Sequence, residues 1–182
     1  LKNLGKNIRE ICEFGFSEIM NNILSYSKGK NCNILLKKNV ANVSIRIEDD
    51  GIGIFDNLLN HLSLENKYHS ILELSKGKVT TDPIHHSGEG IYFVSRLFDR
   101  FSVKSSGLLW VHDTKKNEWL VSKVNKKKGT SILLEINPFS KTTLKKVISQ
   151  YSINGGLIFD RTCIPVCLSK LDSEHLFSRS QA

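Results

Sequence analysis

Four short segments of this chain carry residue types at spacings suited to chemistry on a phosphorylated ligand. Glu18 and Asn22 are four residues apart, so on a helix they lie one turn from each other on one face. A carboxylate and an amide so placed can hold a water and a Mg²⁺ beside a phosphate. In Asp49-Asp50-Gly51-Ile52-Gly53-Ile54 an acid runs straight into glycines, which let a backbone turn and approach a ligand closely. His86-Ser87-Gly88-Glu89-Gly90-Ile91 stands where a helix would open, and there free N–H groups and the helix dipole attract phosphate. Gly129-Thr130 begins a run of β-formers. Each segment alone has an ordinary explanation: an exposed helix pair, a glycine turn after a strand, a simple N-cap. Gly129-Thr130 by itself says almost nothing. Their succession in one chain is the informative feature.

The elements that must position these residues follow from periodicity. Ile8, Ile11, Phe14, Ile19, Ile23 and Leu24 recur near helical spacing, which predicts a helix from about Lys6 to Ser27, ending at Lys28-Gly29-Lys30. Asn33 to Lys38 and Val43 to Asp49 read as a hairpin. In its second strand Val43, Ile45, Ile47 and Asp49 share a face, so Asp49 is partly buried at the strand end and needs a donor. Phe55 to Ser75 has helical composition, Lys76 to Ser87 is a long loop of functional type, and Gly88 to Phe98 is a helix. Strands follow near Phe101–Ser105, Leu108–His112, Trp119–Val124 and Thr130–Ile136. After Asn137-Pro138 the pattern changes, with Ser140 an N-cap for a helix through Ser149 and two short apolar runs, Gly156–Phe159 and Thr162–Leu168. This order predicts an α+β sandwich, with helices on one face of a mixed, mostly antiparallel sheet.

Composition bounds the function class. The chain has 182 residues, of which 40% are hydrophobic and 24% charged, in the range of an ordinary globular domain. No apolar run nears the roughly 18 residues that span a bilayer and no signal-like start is present, so a cytoplasmic protein without a membrane partner is expected. Cys12, Cys32, Cys163 and Cys167 lack metal-ligand spacing and are expected as free thiols. The net charge of +8 is spread along the chain apart from Lys126-Lys127-Lys128. That run fits a solvated turn better than a nucleic-acid patch, so a nucleic-acid partner is not expected. The chain begins at Leu1 and ends after Ser178-Arg179-Ser180-Gln181-Ala182, which suggests a piece of a longer protein.

Taken in order, the four segments resemble the N, G1, G2 and terminal Gly-Thr boxes of the GHKL superfamily, the gyrase, heat-shock chaperone, histidine kinase and mismatch-repair ATPases. The resemblance covers about residues 10 to 137 and implies a Bergerat-type ATP-binding domain over 1–137, with 138–182 an extension or linker. It implies that Asp49 accepts a hydrogen bond from the adenine amino group, that Thr130 supports adenine through water, and that Asn22 coordinates Mg²⁺. Glu18 matches the family's general base. Gly51 and Gly53 shape the G1 turn, while Ser87, Gly88, Glu89, Gly90 and Ile91 form the G2 phosphate segment. Lys76 to Ser87 would be the lid, in which Lys78, Thr80 and Thr81 could reach phosphate oxygens or could be plain exposed loop residues.

The sequence departs from the family pattern at His86, where G2 has its first glycine, and at Glu89, an acid near an anionic ligand. It departs also at Ile23, for a small residue, and at Tyr26, for a basic residue or histidine. Only 17 residues precede Glu18, too few for a phospho-acceptor hairpin. What remains is similar to ATPases related to anti-sigma-factor serine kinases, and the last residues resemble the entry to a STAS-like domain. The partner implied is a regulatory protein or that C-terminal domain, and a homodimer is one arrangement open to such a module. Two functions stand from the sequence: a Mg²⁺-dependent ATPase or protein kinase, favoured by Glu18, and a nucleotide-gated binding module without turnover, favoured by Glu89 and His86.

Overall fold

The computed structural model describes residues 3–77, 79, 88–153 and 158–159. Helix α1 (Lys6–Asn22) starts at Gly5 without a side-chain cap, so its stability comes from the face it buries. That face is Ile8, Ile11, Cys12, Gly15 and Ile19, at the spacing of one helical stripe. A π-helical turn, Ile23–Ser27, follows and is closed by Lys28 in the left-handed region. The single α-helix expected to Ser27 therefore changes hydrogen-bond pattern at Ile23.

Strands β1 (Cys32–Lys38) and β2 (Val43–Asp49) form the expected hairpin. The Asn39 side chain closes its turn by accepting from the Ala41 and Asn42 N–H groups. Helices α2 (Ile54–His61), α3 (Lys67–Lys76) and α4 (Gly90–Leu97) come next. The expected helical stretch Phe55 to Ser75 is thus two helices. Asn66 breaks it, in an extended conformation that lets its side chain accept from Tyr68 and His69 N–H as the N-cap of α3. Then come β3 (Arg100–Ser105), β4 (Leu108–Asp113), β5 (Glu118–Lys123), β6 (Thr130–Ile136), α5 (Leu144–Gln150), and the short β7 (Ser152–Ile153) and β8 (Ile158–Phe159). The N-cap of α5 is Thr143, which accepts from Lys146 N–H, whereas the Ser140 hydroxyl is engaged with Thr142.

The six main strands form one sheet in the order β1-β2-β6-β3-β4-β5. Each of its five pairings is antiparallel, so the mixed character expected from the sequence resolves to an antiparallel sheet. Strand β6, last in sequence, is inserted between β2 and β3 and sets Asp49 and Thr130 on adjacent strands. Strict alternation in β2 and β6 buries Val43, Ile45 and Ile47 with Ile132, Leu134 and Ile136 against one layer of helices. That layer contributes Ile8, Ile11, Phe55, Leu58, Ile71, Leu74, then Ile91, Tyr92, Phe93, Val94 and Leu97 of α4, and Val147 of α5. The molecule is therefore an α+β two-layer sandwich. Helix α4 is buried on every side, so its core face is wider than one stripe. Cys12 and Cys32 are free thiols; burial pushes the Cys12 thiol up to about 11 and, helped by the Asp49 carboxylate, raises that of Cys32. Cys163 and Cys167 lie outside the described residues. Among the described residues no helix is long and apolar enough to cross a membrane.

A buried polar cluster lies at the far end of α4. His112 Nδ1 is 2.6 Å from the Ser95 carbonyl, an acceptor, so Nδ1 carries the proton. The ring stacks on Trp119 at 3.8 Å, and the Arg96 guanidinium lies 3.5 Å over Tyr92. Burial lowers the His112 pKa below 6.5, Arg96 adds to this, and the bond to Ser95 opposes it. The unfolded chain therefore takes up this proton at higher pH than the folded one. Stability is expected to fall as pH drops below about 6.5 and through the lower folded value. Melting temperatures measured between pH 7.5 and 5 should show a drop that a His112→Gln variant lacks; parallel curves would count against it.

Candidate functional site

Between the π-turn, the ends of β2 and β6, α2 and the start of α4 runs a cleft, and Ile19, Asn22, Asp49, Gly53, Thr130 and Ile91 are among its lining residues. The walls are mainly apolar, with Ile23, Ile47, Ile54, Leu58, Leu74 and Ile132. Such walls favour a flat, weakly hydrated ring.

Asp49 is the charged group buried at the end of this slot, 8% exposed. Its Oδ1 accepts twice, from the Ser27 hydroxyl at 2.6 Å and from Gly51 N–H at 2.8 Å. Oδ2 makes no hydrogen bond to a described residue and is not sealed from solvent. The acid thus finds the donors that its buried position demands and keeps one oxygen for a ligand's donor. Thr130 Oγ1 accepts from Ile54 N–H at 3.0 Å, tying the first turn of α2 to β6 while its own proton stays available. The neighbouring Asp50 is held differently, by Lys30 N–H, Asn31 N–H and the Asn31 amide. These bonds pull its carboxyl down to about 2 and fix the chain on the far side of the turn.

Glycine is required here for close approach. A Cβ on Gly51 would overlap the Ser27 carbonyl and hydroxyl, and one on Gly129 would overlap the Asp49 carbonyl. Gly129 also has φ +79°, which L side chains rarely adopt. Gly129→Ala is expected to cost about 3 kcal/mol or more, adding left-handed strain to a backbone overlap that cannot relax cheaply. A denaturant midpoint unchanged from wild type would refute it.

Helix α4 opens beside α1. A Cβ on Gly90 would overlap Glu18 Oε2, so the carboxylate of Glu18 lies directly against the first residue of α4. Glu89, the N-cap position, makes no side-chain cap, and Gly88 has φ +74°. Val79 N–H, within the expected lid, donates to the carbonyl of Gly88 just beyond it at 3.2 Å, and Val79 lines the cleft. Glu18, Gly51, Gly88, Glu89 and Gly90 are not among the residues that line the cleft. Lys78, Thr80, Thr81, His86 and Ser87 lie outside the described residues. Tyr26, Ser27, Ile52 and Asn57 line the cleft without having been singled out as site residues from the sequence. Of these, Ser27 had a legible signal, a hydroxyl just after the helix that carries Glu18 and Asn22.

No protein-family model matches the chain, and no curated protein is significantly similar to it.

Proposed function

We propose that the cleft binds an adenine nucleotide and that the chain is an ATP-binding regulatory domain of the GHKL kind, which hydrolyses ATP or passes its γ-phosphate to a protein partner in a Mg²⁺-dependent reaction. The observation that carries this reading is the meeting at one cleft of segments far apart in sequence. Asn22, Asp49, Gly53, Ile91 and Thr130 line it, and Glu18 stands against Gly90, the residue before Ile91. Asp49 Oδ2 would accept from an amino group on the base, the isoleucine walls would take its faces, and Thr130 would support its edge through water.

The residues also fit a nucleotide-bound Mg²⁺. Asn22 lines the cleft with no described hydrogen bond on its amide, and Mg²⁺ in such sites takes one or two protein oxygens and completes its shell with water and phosphate. Among the described residues no group of three or more His, Cys, Asp or Glu side chains gathers to hold a metal unaided, so phosphate oxygens would be needed. When bound, Mg²⁺ supplies neutralisation of phosphate charge. Glu18 would accept the proton of an attacking water or hydroxyl, and the amides at the start of α4 would face the phosphates. The partner proposed is a cytoplasmic regulatory protein.

A second reading, a nucleotide-gated binding module with negligible turnover, is favoured by Glu89. Glu89 immediately precedes the first turn of α4, where a carboxylate turned toward the helix start would repel an arriving phosphate. Both readings are tested by titrating ATP and ADP with Mg²⁺ while following melting temperature and phosphate release. Binding with release supports the enzyme, binding alone the module, and no binding by either nucleotide removes both.

A further inference from the structure

We infer that Ser27 is a positioning and specificity-determining residue for the base end of the cleft, and that the π-turn exists to deliver it there. This rests on the nucleotide reading of the cleft and adds to it a residue outside the four boxes. In an α-helix of 3.6 residues per turn, the fifth residue after Asn22 would point about 140° away from it. The i→i+5 pattern of a π-turn instead stacks residues five apart on one side. The structure has this pattern over Ile23–Ser27, and both Asn22 and Ser27 line the cleft.

The hydrogen bonds around Ser27 give it a direction. Its hydroxyl oxygen accepts from Gly29 N–H at 3.1 Å, and its single proton goes to Asp49 Oδ1 at 2.6 Å. The Ser27 carbonyl accepts from Ile52 N–H at 2.9 Å. The residue therefore clasps the Asp49–Ile52 turn through both side chain and main chain. With Oδ1 saturated by Ser27 and Gly51, the carboxylate cannot rotate without losing two bonds, and Oδ2 is presented as a fixed acceptor. A fixed acceptor selects a base that offers an amino group and rejects one that offers a carbonyl at the same place, because acceptor would then face acceptor.

The test uses calorimetric titration of the full chain with ADP and with inosine diphosphate, which replaces the 6-amino group by a 6-oxo group. Wild type should prefer ADP. Ser27→Ala should weaken ADP binding by about tenfold and lower the ADP-to-inosine-diphosphate affinity ratio by a similar factor, the scale of one charge-assisted hydrogen bond. Ser27→Thr should retain both. The ratio is independent of the folded fraction, so destabilisation alone would not move it. A wild-type ratio in Ser27→Ala overturns the inference, and so does an equal loss in Ser27→Thr, which would mean that packing rather than the hydroxyl matters. Absence of ADP binding by wild type overturns the nucleotide reading itself and this inference with it.

Discussion

Asp49→Asn is expected to remove most of the rise in melting temperature that ADP or ATP with Mg²⁺ should give the wild-type chain. A ligand at about 100 times its dissociation constant stabilises the native state by about 2.7 kcal/mol, which for a domain of this size is a rise of roughly 5–10 °C. The substitution preserves shape but not polarity. The Ser27 hydroxyl and Gly51 N–H both donate to the Oδ1 position, so the asparagine oxygen must sit there and its NH₂ must take the open Oδ2 position. A donor would then face the amino group of the base where an acceptor is needed. Loss of this charge-assisted bond with an opposed donor pair predicts a fall in affinity of about 10²-fold. If the mutant and wild type shift equally, Asp49 does not contact the base.

The other large effect is expected on turnover. Glu18→Gln keeps the size and polar character of the side chain against Gly90 but removes its charge and basicity. Nucleotide affinity should stay within about twofold, while phosphate release or transfer falls by about 10²-fold or more, the scale of a positioned general base. Asn22→Ala should instead weaken Mg²⁺-dependent binding as well as turnover, since a lost metal ligand is felt in the ground state too. Single-turnover measurements on the three proteins separate these effects. Undiminished turnover in Glu18→Gln would assign that acid a packing role at the α1–α4 contact, and a wild type that binds without turnover would favour the binding module.

What the sequence by itself determined is the part of the structure governed by local periodicity. Of the predicted stripe, Ile8, Ile11 and Ile19 lie on the buried face of α1, whereas Leu24, beyond the change to π bonding, is exposed. The alternation of Val43, Ile45 and Ile47 showed that Asp49 would point inward with them, as its burial bears out. Six strands and the class of the sandwich followed from the same two periods, because burying every second or every third-to-fourth side chain leaves few arrangements.

Only the tertiary structure decided where the segments meet. The insertion of β6 between β2 and β3 sets Thr130 beside the end of β2, and pairing across so much chain leaves no local mark. The contact of Glu18 with Gly90 depends on how α1 and α4 pack, and a glycine reads the same in sequence whether it serves a turn or a close approach. The change from α to π bonding at Ile23 was invisible for a related reason: both patterns suit the same residues. The choice falls to the partners waiting for Ser27, the Asp49 carboxylate and the Ile52 amide. They lie on a separate strand and turn, and the energy of those bonds is present only once the sheet and the helix layer have come together.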